Sequence, residues 1–222
     1  MTRSEKMDTE EINEIKQKVA DAGRYIRDAG LVHGESGNVS IRIDEGRVAI
    51  SPSMIPYDDI EAKDVLVIDL EGDVLEGDLN PSSESKMHLG IYKARPDVGA
   101  IVHTHPVYAS AIAVCRQDIP VFIDEIVPIL GGGVTVSEYG MPGSDELAQG
   151  TVDALGKKYA ALVANHGAVA CGRTIEAAIK HAESLERVCK IYLLSKLAGT
   201  VVCLPDDVVE MQQSIFEIKN SL

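Results

Sequence analysis

The sequence predicts an α/β domain, because stretches of helical period and stretches of strand period alternate along one chain of 222 residues instead of falling into separate blocks. Two observations carry this. Apolar residues recur at steps of three and four near both ends of the chain, and short β-branched runs bounded by Asp, Glu, Gly and Pro clusters lie between them. The length is small for two domains of about 150 residues and ample for one with a real core, so residues 1–222 are expected to form a single domain. Apolar residues at 45% and charged residues at 25% are globular proportions and exclude disordered, collagen-like and coiled-coil chains.

Ile12, Ile15, Val19, Ala22, Ile26 and Ala29 form one apolar stripe, with Asp8 and Glu11 placed as a capping box and Gly30 at the end: an amphipathic helix. Strands are expected over 38–42, 47–51 and 64–70, where alternation is clearest. A second helix should open at Ser82 or Ser83 and run to about Ala94, stopped by Pro96. Residues 100–105 form a β-branched run between Gly99 and Pro106, hence a strand, followed by an Ala-rich helix from about Tyr108 to Cys115. Residues 120–126 and 160–164 read as further strands, and the Gly-rich 131–143 between them as a loop near a site or interface. The longest helical pattern runs from Thr174 to Leu197 and closes at Gly199, and a last helix spans about 206–219. No repeat or linker interrupts the chain.

Twenty-one Lys and Arg against 35 Asp and Glu give a net charge of −14. Such a surface repels phosphate backbones and anionic lipid, so nucleic acid and membrane are excluded as partners and a small molecule is expected. No apolar run approaches the roughly 18–20 residues of a membrane span, and the polar stretch from Met1 to Thr9 has no signal-peptide core, so a cytoplasmic location is expected. Cys115, Cys171, Cys189 and Cys203 contain no C-x-x-C pair and lie among apolar neighbours, which reads as buried free thiols.

The sharpest chemical signal is His103-Thr104-His105 in a predicted strand. Side chains at i and i+2 share a face, so two imidazoles can converge on one ion, the alternative being two edge-strand histidines facing water. Asn165-His166-Gly167 follows an apolar strand whose end can deliver a third imidazole, although His166 by itself also suits a plain turn. Three imidazoles with an open position make a catalytic metal site, with a nearby carboxylate as fourth ligand or general base. Glu84 is the candidate. It stands in Pro81-Ser82-Ser83-Glu84 at a helix start, where the dipole favours an anion and where Ser82 and Ser83 offer hydroxyls and amides; it also suits an ordinary helix-start glutamate. His88, one turn on, suits packing as well as ligation. Gly34 to Ser40 is a Gly-rich turn entering a strand, in which exposed amides and the Asn38 side chain can bind phosphate oxygens, and 51–56 reads similarly. His33 and His181 read as surface or structural residues.

In order, S-G-N-V-S-x-R, S-P-S-x-I-P-Y, P-S-S-E, H-T-H and N-H-G resemble the class II aldolase and adducin-head family over most of the chain. The resemblance implies a three-layer α/β/α fold around a central, mostly antiparallel sheet, and a homotetramer with active sites between subunits. It implies zinc, or another divalent ion such as manganese or cobalt, held by His103, His105, His166 and Glu84, with Glu84 turning base when substrate displaces it. It further implies phosphate held by Gly37, Asn38, Ser53, Met54, Ser82 and Ser83. The activity implied is cleavage of a ketose 1-phosphate such as L-fuculose 1-phosphate to dihydroxyacetone phosphate and an aldehyde. Glu84 favours this over the family's epimerase, which carries Asp there.

Two departures bear on the substrate. Asp124 stands where the family's fuculose-phosphate aldolase has a proton-donating tyrosine, which leaves Asp124 and Tyr139 as candidate proton donors. Met54 stands where that aldolase has glycine beside its phosphate, and a thioether there suggests a smaller or non-phosphorylated head group. A decarboxylase acting on an oxo or hydroxy acid through the same histidines is therefore the alternative, with an epimerase or dehydratase behind it. A non-catalytic module of the adducin type is disfavoured because all three histidines and Glu84 are present.

Overall fold

A computed structural model describes residues 9–221. Among them, seven strands form one sheet of order β4-β3-β2-β1-β5-β7-β6, antiparallel at every pairing. The strands are β1 Asn38–Arg42, β2 Arg47–Ile50, β3 Leu66–Asp69, β4 Val74–Glu76, β5 Ala100–Thr104, β6 Ala160–Val163 and β7 Gly167–Gly172. The helices are α1 Thr9–Asp28, α2 Ser85–Ala94, α3 Val107–Cys115, α4 Ile126–Leu130, α5 Asp145–Leu155, α6 Ile175–Ala198 and α7 Asp206–Ser221.

Strand alternation explains the layering. Val39, Ala49, Val67, Val102, Leu162 and Ala170 face one way and join a core with Val19 and Ile26 of α1, Ile112 of α3 and Leu185 of α6. Val48, Ile50, Leu66, Ile101, Val163 and Val169 face the other way and pack with Met87 and Ile91 of α2 and Leu147 and Leu155 of α5. The sheet is thus covered on both faces, as expected of a three-layer α/β/α fold.

Several expectations need correction. Residues 120–126 are not a strand: Ile119 makes one isolated bridge to Val134, and Ile126–Leu130 is helical. Pro120 cannot donate to a ladder, and a short apolar run does not distinguish a strand from a buried helical turn. Helix α2 starts at Ser85, so Glu84 is its N-cap residue and not a first-turn residue. His105 lies just beyond β5. Cys115 and Cys203 are exposed, and only Cys171 and Cys189 are buried; all four are free. Asp8 of the expected capping box lies outside the described residues.

Candidate metal centre and active site

The antiparallel order of the three central strands gathers the candidate ligands at one end of the sheet. Asn38, the first residue of β1, pairs with His103 near the end of β5, and Thr104 pairs with Ala168 near the start of β7. His166 stands in the turn joining β6 to β7, where Val163 pairs with Gly167. Asn165 takes the tight turn with φ 56°, a left-handed conformation that asparagine tolerates, and its side chain accepts from Arg116 Nε at 2.8 Å. Gly37 brings β1 close to β5. It has φ 79°, and a Cβ there would lie 2.6 Å from the His103 carbonyl oxygen.

One ligand atom from each of Glu84, His103, His105 and His166 lies within 4.8 Å of the others. His103 Nε2 is 3.0 Å from Glu84 Oε2, His166 Nε2 is 3.1 Å from Glu84 Oε1, and the Nε2 atoms of His103 and His105 face one another at 2.8 Å. His103 Nδ1 lies 2.9 Å from the Ala168 carbonyl, which can only accept, so Nδ1 carries a hydrogen and Nε2 is the nitrogen that faces the cluster. Glu84 Oε1 is buried with no hydrogen-bond partner despite its nearness to His166. Three inward imidazole nitrogens and an unsatisfied buried carboxylate oxygen fit a divalent cation.

The electrostatics agree. Burial acts to raise the Glu84 carboxyl, but His103, His166 and the Asn38 amide outweigh it and hold it below the ordinary carboxylate range. Burial, then the neighbouring His103 and His166, lowers His105 to about 3, and burial followed by His103 also lowers His166. These two rings are therefore neutral at pH 7 and available as ligands.

The cluster opens on a cleft of about 220 Å³ whose walls include Gly37, Asn38, Ser53, Met54, Ser82, Ser83, Glu84, His105 and His166. Every residue expected at the phosphate position thus shares one cleft with Glu84, His105 and His166. Pro142, from the Gly-rich segment, also lines it. Among the described residues no lysine or arginine does. The Asn38 side chain is only partly free, since Nδ2 donates to Glu84 Oε2 at 2.9 Å and Oδ1 meets His88 Nε2 at 2.6 Å. Met54 has φ 61°, which explains why glycine suits that position, and its side chain is 81% exposed at the cleft mouth rather than filling the interior.

Asp124 and Tyr139 are not brought to this cleft within the chain. Asp124 is exposed and accepts from Gln212 at 3.1 Å, and Tyr139 is 53% exposed with the Arg116 guanidinium over its ring. His33 is exposed, and His181 stacks on Tyr159 while bonding the Cys171 carbonyl, both as expected. His88 is fully buried and packs behind the site instead of ligating. Its partners Ser40 and Tyr92 escape a reading of motifs, because their contacts cross from strand to helix; the available signal was the spacing of Asn38 and Ser40 by two and of Glu84, His88 and Tyr92 by four.

The family model described as Class II Aldolase and Adducin N-terminal domain matches residues 17–193. The chain belongs to this family. A 5-deoxy-D-ribulose 1-phosphate aldolase of Bacillus thuringiensis is 35% identical over 203 residues, covering 91% of this chain and 95% of that protein. A 3-oxo-tetronate 4-phosphate decarboxylase of Haemophilus influenzae is 32% identical over 182 residues, 80% of this chain and 86% of that protein. The solved structure of an L-fuculose 1-phosphate aldolase superposes with a TM-score of 0.88 at 34% identity, covering 97% of this chain and all (100%) of the other. The class II aldolase fold, the family and the four-residue cluster make this protein an enzyme, a carbon–carbon lyase. Among its described residues no helix is long and apolar enough to cross a membrane.

Proposed function

We propose that the protein is a metal-dependent aldolase that reversibly cleaves a ketose 1-phosphate, such as L-fuculose 1-phosphate or a 5-deoxypentulose 1-phosphate, to dihydroxyacetone phosphate and an aldehyde. One observation carries the reading: Glu84, His105 and His166, clustered with the buried His103, line a cleft walled by hydroxyl and amide donors. When bound, a divalent ion, zinc or else manganese or cobalt, supplies a Lewis acid beside the substrate carbonyl and adjacent hydroxyl. His103, His105 and His166 hold it. The backbone at Gly37, Asn38 and Met54 and the hydroxyls of Ser53, Ser82 and Ser83 hold the phosphate, orienting the carbon chain towards Glu84.

Glu84 enters as a carboxylate, since its carboxyl lies below the ordinary range. In the condensation direction it takes a proton from the dihydroxyacetone phosphate carbon that forms the new bond. In cleavage the hydroxyl proton released as the aldehyde forms is the one that reaches Glu84, which places it on the same carbon after the carbon–carbon bond has broken, so the protons balance. Asp124 and Tyr139 are the candidate donors to the aldehyde oxygen. Both are exposed and apart from their own chain's cleft, which suits action at a neighbouring subunit's site in a cytoplasmic homotetramer of single-domain subunits.

The test is dihydroxyacetone phosphate release from a panel of ketose 1-phosphates by zinc-loaded protein, with a chelated control. Release that depends on metal supports the aldolase. Metal-replete protein that releases none, and instead releases CO2 from an oxo acid, transfers the site to decarboxylation. The decarboxylase relative favours that second reading over the others.

A further inference from the structure

Behind the metal ligands lies a buried file of polar groups that the reaction does not consume. Asn38 and Ser40 are two residues apart on β1 and face α2. Glu84, His88 and Tyr92 are spaced by four along the cap and body of α2 and face β1. The two rows interlock: Tyr92 Oη lies 2.9 Å from Ser40 Oγ, Ser40 Oγ 2.6 Å from His88 Nδ1, His88 Nε2 2.6 Å from Asn38 Oδ1, and Asn38 Nδ2 2.9 Å from Glu84 Oε2. Ser40 and His88 are completely buried, and Tyr92, Asn38 and Glu84 are exposed by 1%, 3% and 6%.

The chemistry of the acceptors fixes the direction of every bond. The Glu84 carboxylate only accepts, so the Asn38 amide nitrogen must face it and the Asn38 carbonyl must face His88. That carbonyl needs a donor, so His88 carries its hydrogen on Nε2. In the neutral ring Nδ1 is then an acceptor and takes the Ser40 hydroxyl hydrogen, which leaves the Ser40 oxygen to accept from Tyr92. All the donors point along one line towards Glu84.

We propose that His88 is a positioning residue: held as the Nε2–H tautomer by Ser40 and Tyr92, it locks the Asn38 amide so that Nδ2 clamps Glu84 Oε2 in one orientation. This rests on the reading of Glu84 as ligand and base, but it concerns geometry that exists without turnover. The carboxylate must alternate between the ion and the substrate carbon while the protein stays closed around it. With one oxygen clamped, the partnerless Oε1 is the oxygen left to exchange. Partners of this kind behind a ligand typically alter affinity or activity by about 10- to 100-fold.

The first test is nitrogen NMR of 15N-histidine-labelled, zinc-loaded protein, with the His88 signals assigned by their loss in His88→Gln. The expected result is an Nε2–H tautomer with an unprotonated Nδ1; an Nδ1–H tautomer overturns the file whatever the enzyme does. The second test compares His88→Leu, which lacks the donor, with His88→Gln, whose amide nitrogen can stand near the place of Nε2. After cobalt loading, His88→Leu should keep one ion per chain with shifted visible bands and lose about 10- to 100-fold in kcat with KM within about threefold. His88→Gln should restore both the bands and kcat to within about threefold of the parent. Equal loss in the two variants, or parental bands in a folded His88→Leu, overturns the proposal. Should His88→Leu not fold, the tautomer and the His88→Gln spectrum still decide. Neither of those requires the aldol reaction, so failure of the activity and failure of this inference remain distinct.

Discussion

Gly167 separates the third imidazole from the strand that supports the first, and adding a methyl group there tests how tightly the centre is built. A Cβ at this position would lie 2.4 Å from the Thr104 carbonyl oxygen, 2.8 Å from His105 Cδ2 and 3.4 Å from His105 Cα. Ordinary carbon contacts are about 3.5–4.0 Å, so about 1 Å must be recovered. The tightest contact is with the Thr104 carbonyl, sheet backbone whose pairing with Ala168 also sets the height of His103, so the backbone must shift even if the His105 ring swings away. Overpacking of this kind costs about 1–3 kcal/mol. If that shift displaces His103 or His105, Gly167→Ala should bind zinc about five- to 140-fold more weakly, at about 1.4 kcal/mol per tenfold. If the imidazoles keep their places, the same amount is lost from the stability of the metal-free protein. Competition titration against a chromophoric chelator reads the first, and urea unfolding in chelator reads the second. Parental values in both experiments would refute the claim that the ligands sit on a close-packed, inflexible frame.

Three further predictions address the ligands and the buried imidazoles. Glu84→Gln should fold and retain most metal, since its amide oxygen can still accept from Asn38, while kcat falls by about 10²- to 10⁴-fold; unchanged turnover removes Glu84 from proton transfer. His103→Ala should lose both metal and activity, and metal at parental stoichiometry by elemental analysis would count against the centre. The metal-free protein should weaken as pH falls. Burial lowers His88 and His105 from 6.5 to about 3 and also lowers His166, so below about 6.5 the unfolded chain binds the extra protons, and stability drops by about 1 kcal/mol per pH unit from His88 alone and by more with the other two rings. The low Glu84 carboxyl adds a second loss only beneath the ordinary carboxylate range. Urea unfolding in chelator at pH 7, 6 and 5 measures the slope, and a flat profile contradicts a neutral buried His88.

Elements governed by burial on a definite face were legible in the sequence. The α1 and α6 stripes and the alternation in β1, β2 and β3 were read within a few residues because each buries one face or alternates between two cores. β4 escaped notice because all three of its residues are exposed, leaving no alternation to read. β7 is Gly-Ala-Val-Ala-Cys-Gly, too small and Gly-bounded to announce a strand, and only its pairing with β5 and β6 makes it one. Helix α5 had a local signal in Ser144, whose hydroxyl caps Leu147 N at 3.1 Å, but it follows directly on the Gly-rich stretch that obscured it. The metal ligands were legible because i, i+2 spacing on a strand and a histidine at a strand end are local facts. The file through Ser40 and Tyr92 was not, because the facing of β1 and α2 is a tertiary fact.

Charge connects the metal to the rest of the cleft. The chain carries −14 overall, and both ionised side chains among the cleft-lining residues, Glu35 and Glu84, are acidic. A phosphorylated substrate entering such a place meets neutral amides and hydroxyls, which orient it but do not offset its charge. On the proposed reading, compensation would fall to an ion held by the three imidazoles. This accounts for the investment of so much buried hydrogen bonding in one carboxylate. On the proposed reading, Glu84 would balance a bound ion's charge at rest and give way when an anionic substrate binds. A carboxylate clamped at one oxygen and free at the other can make that exchange without leaving the site.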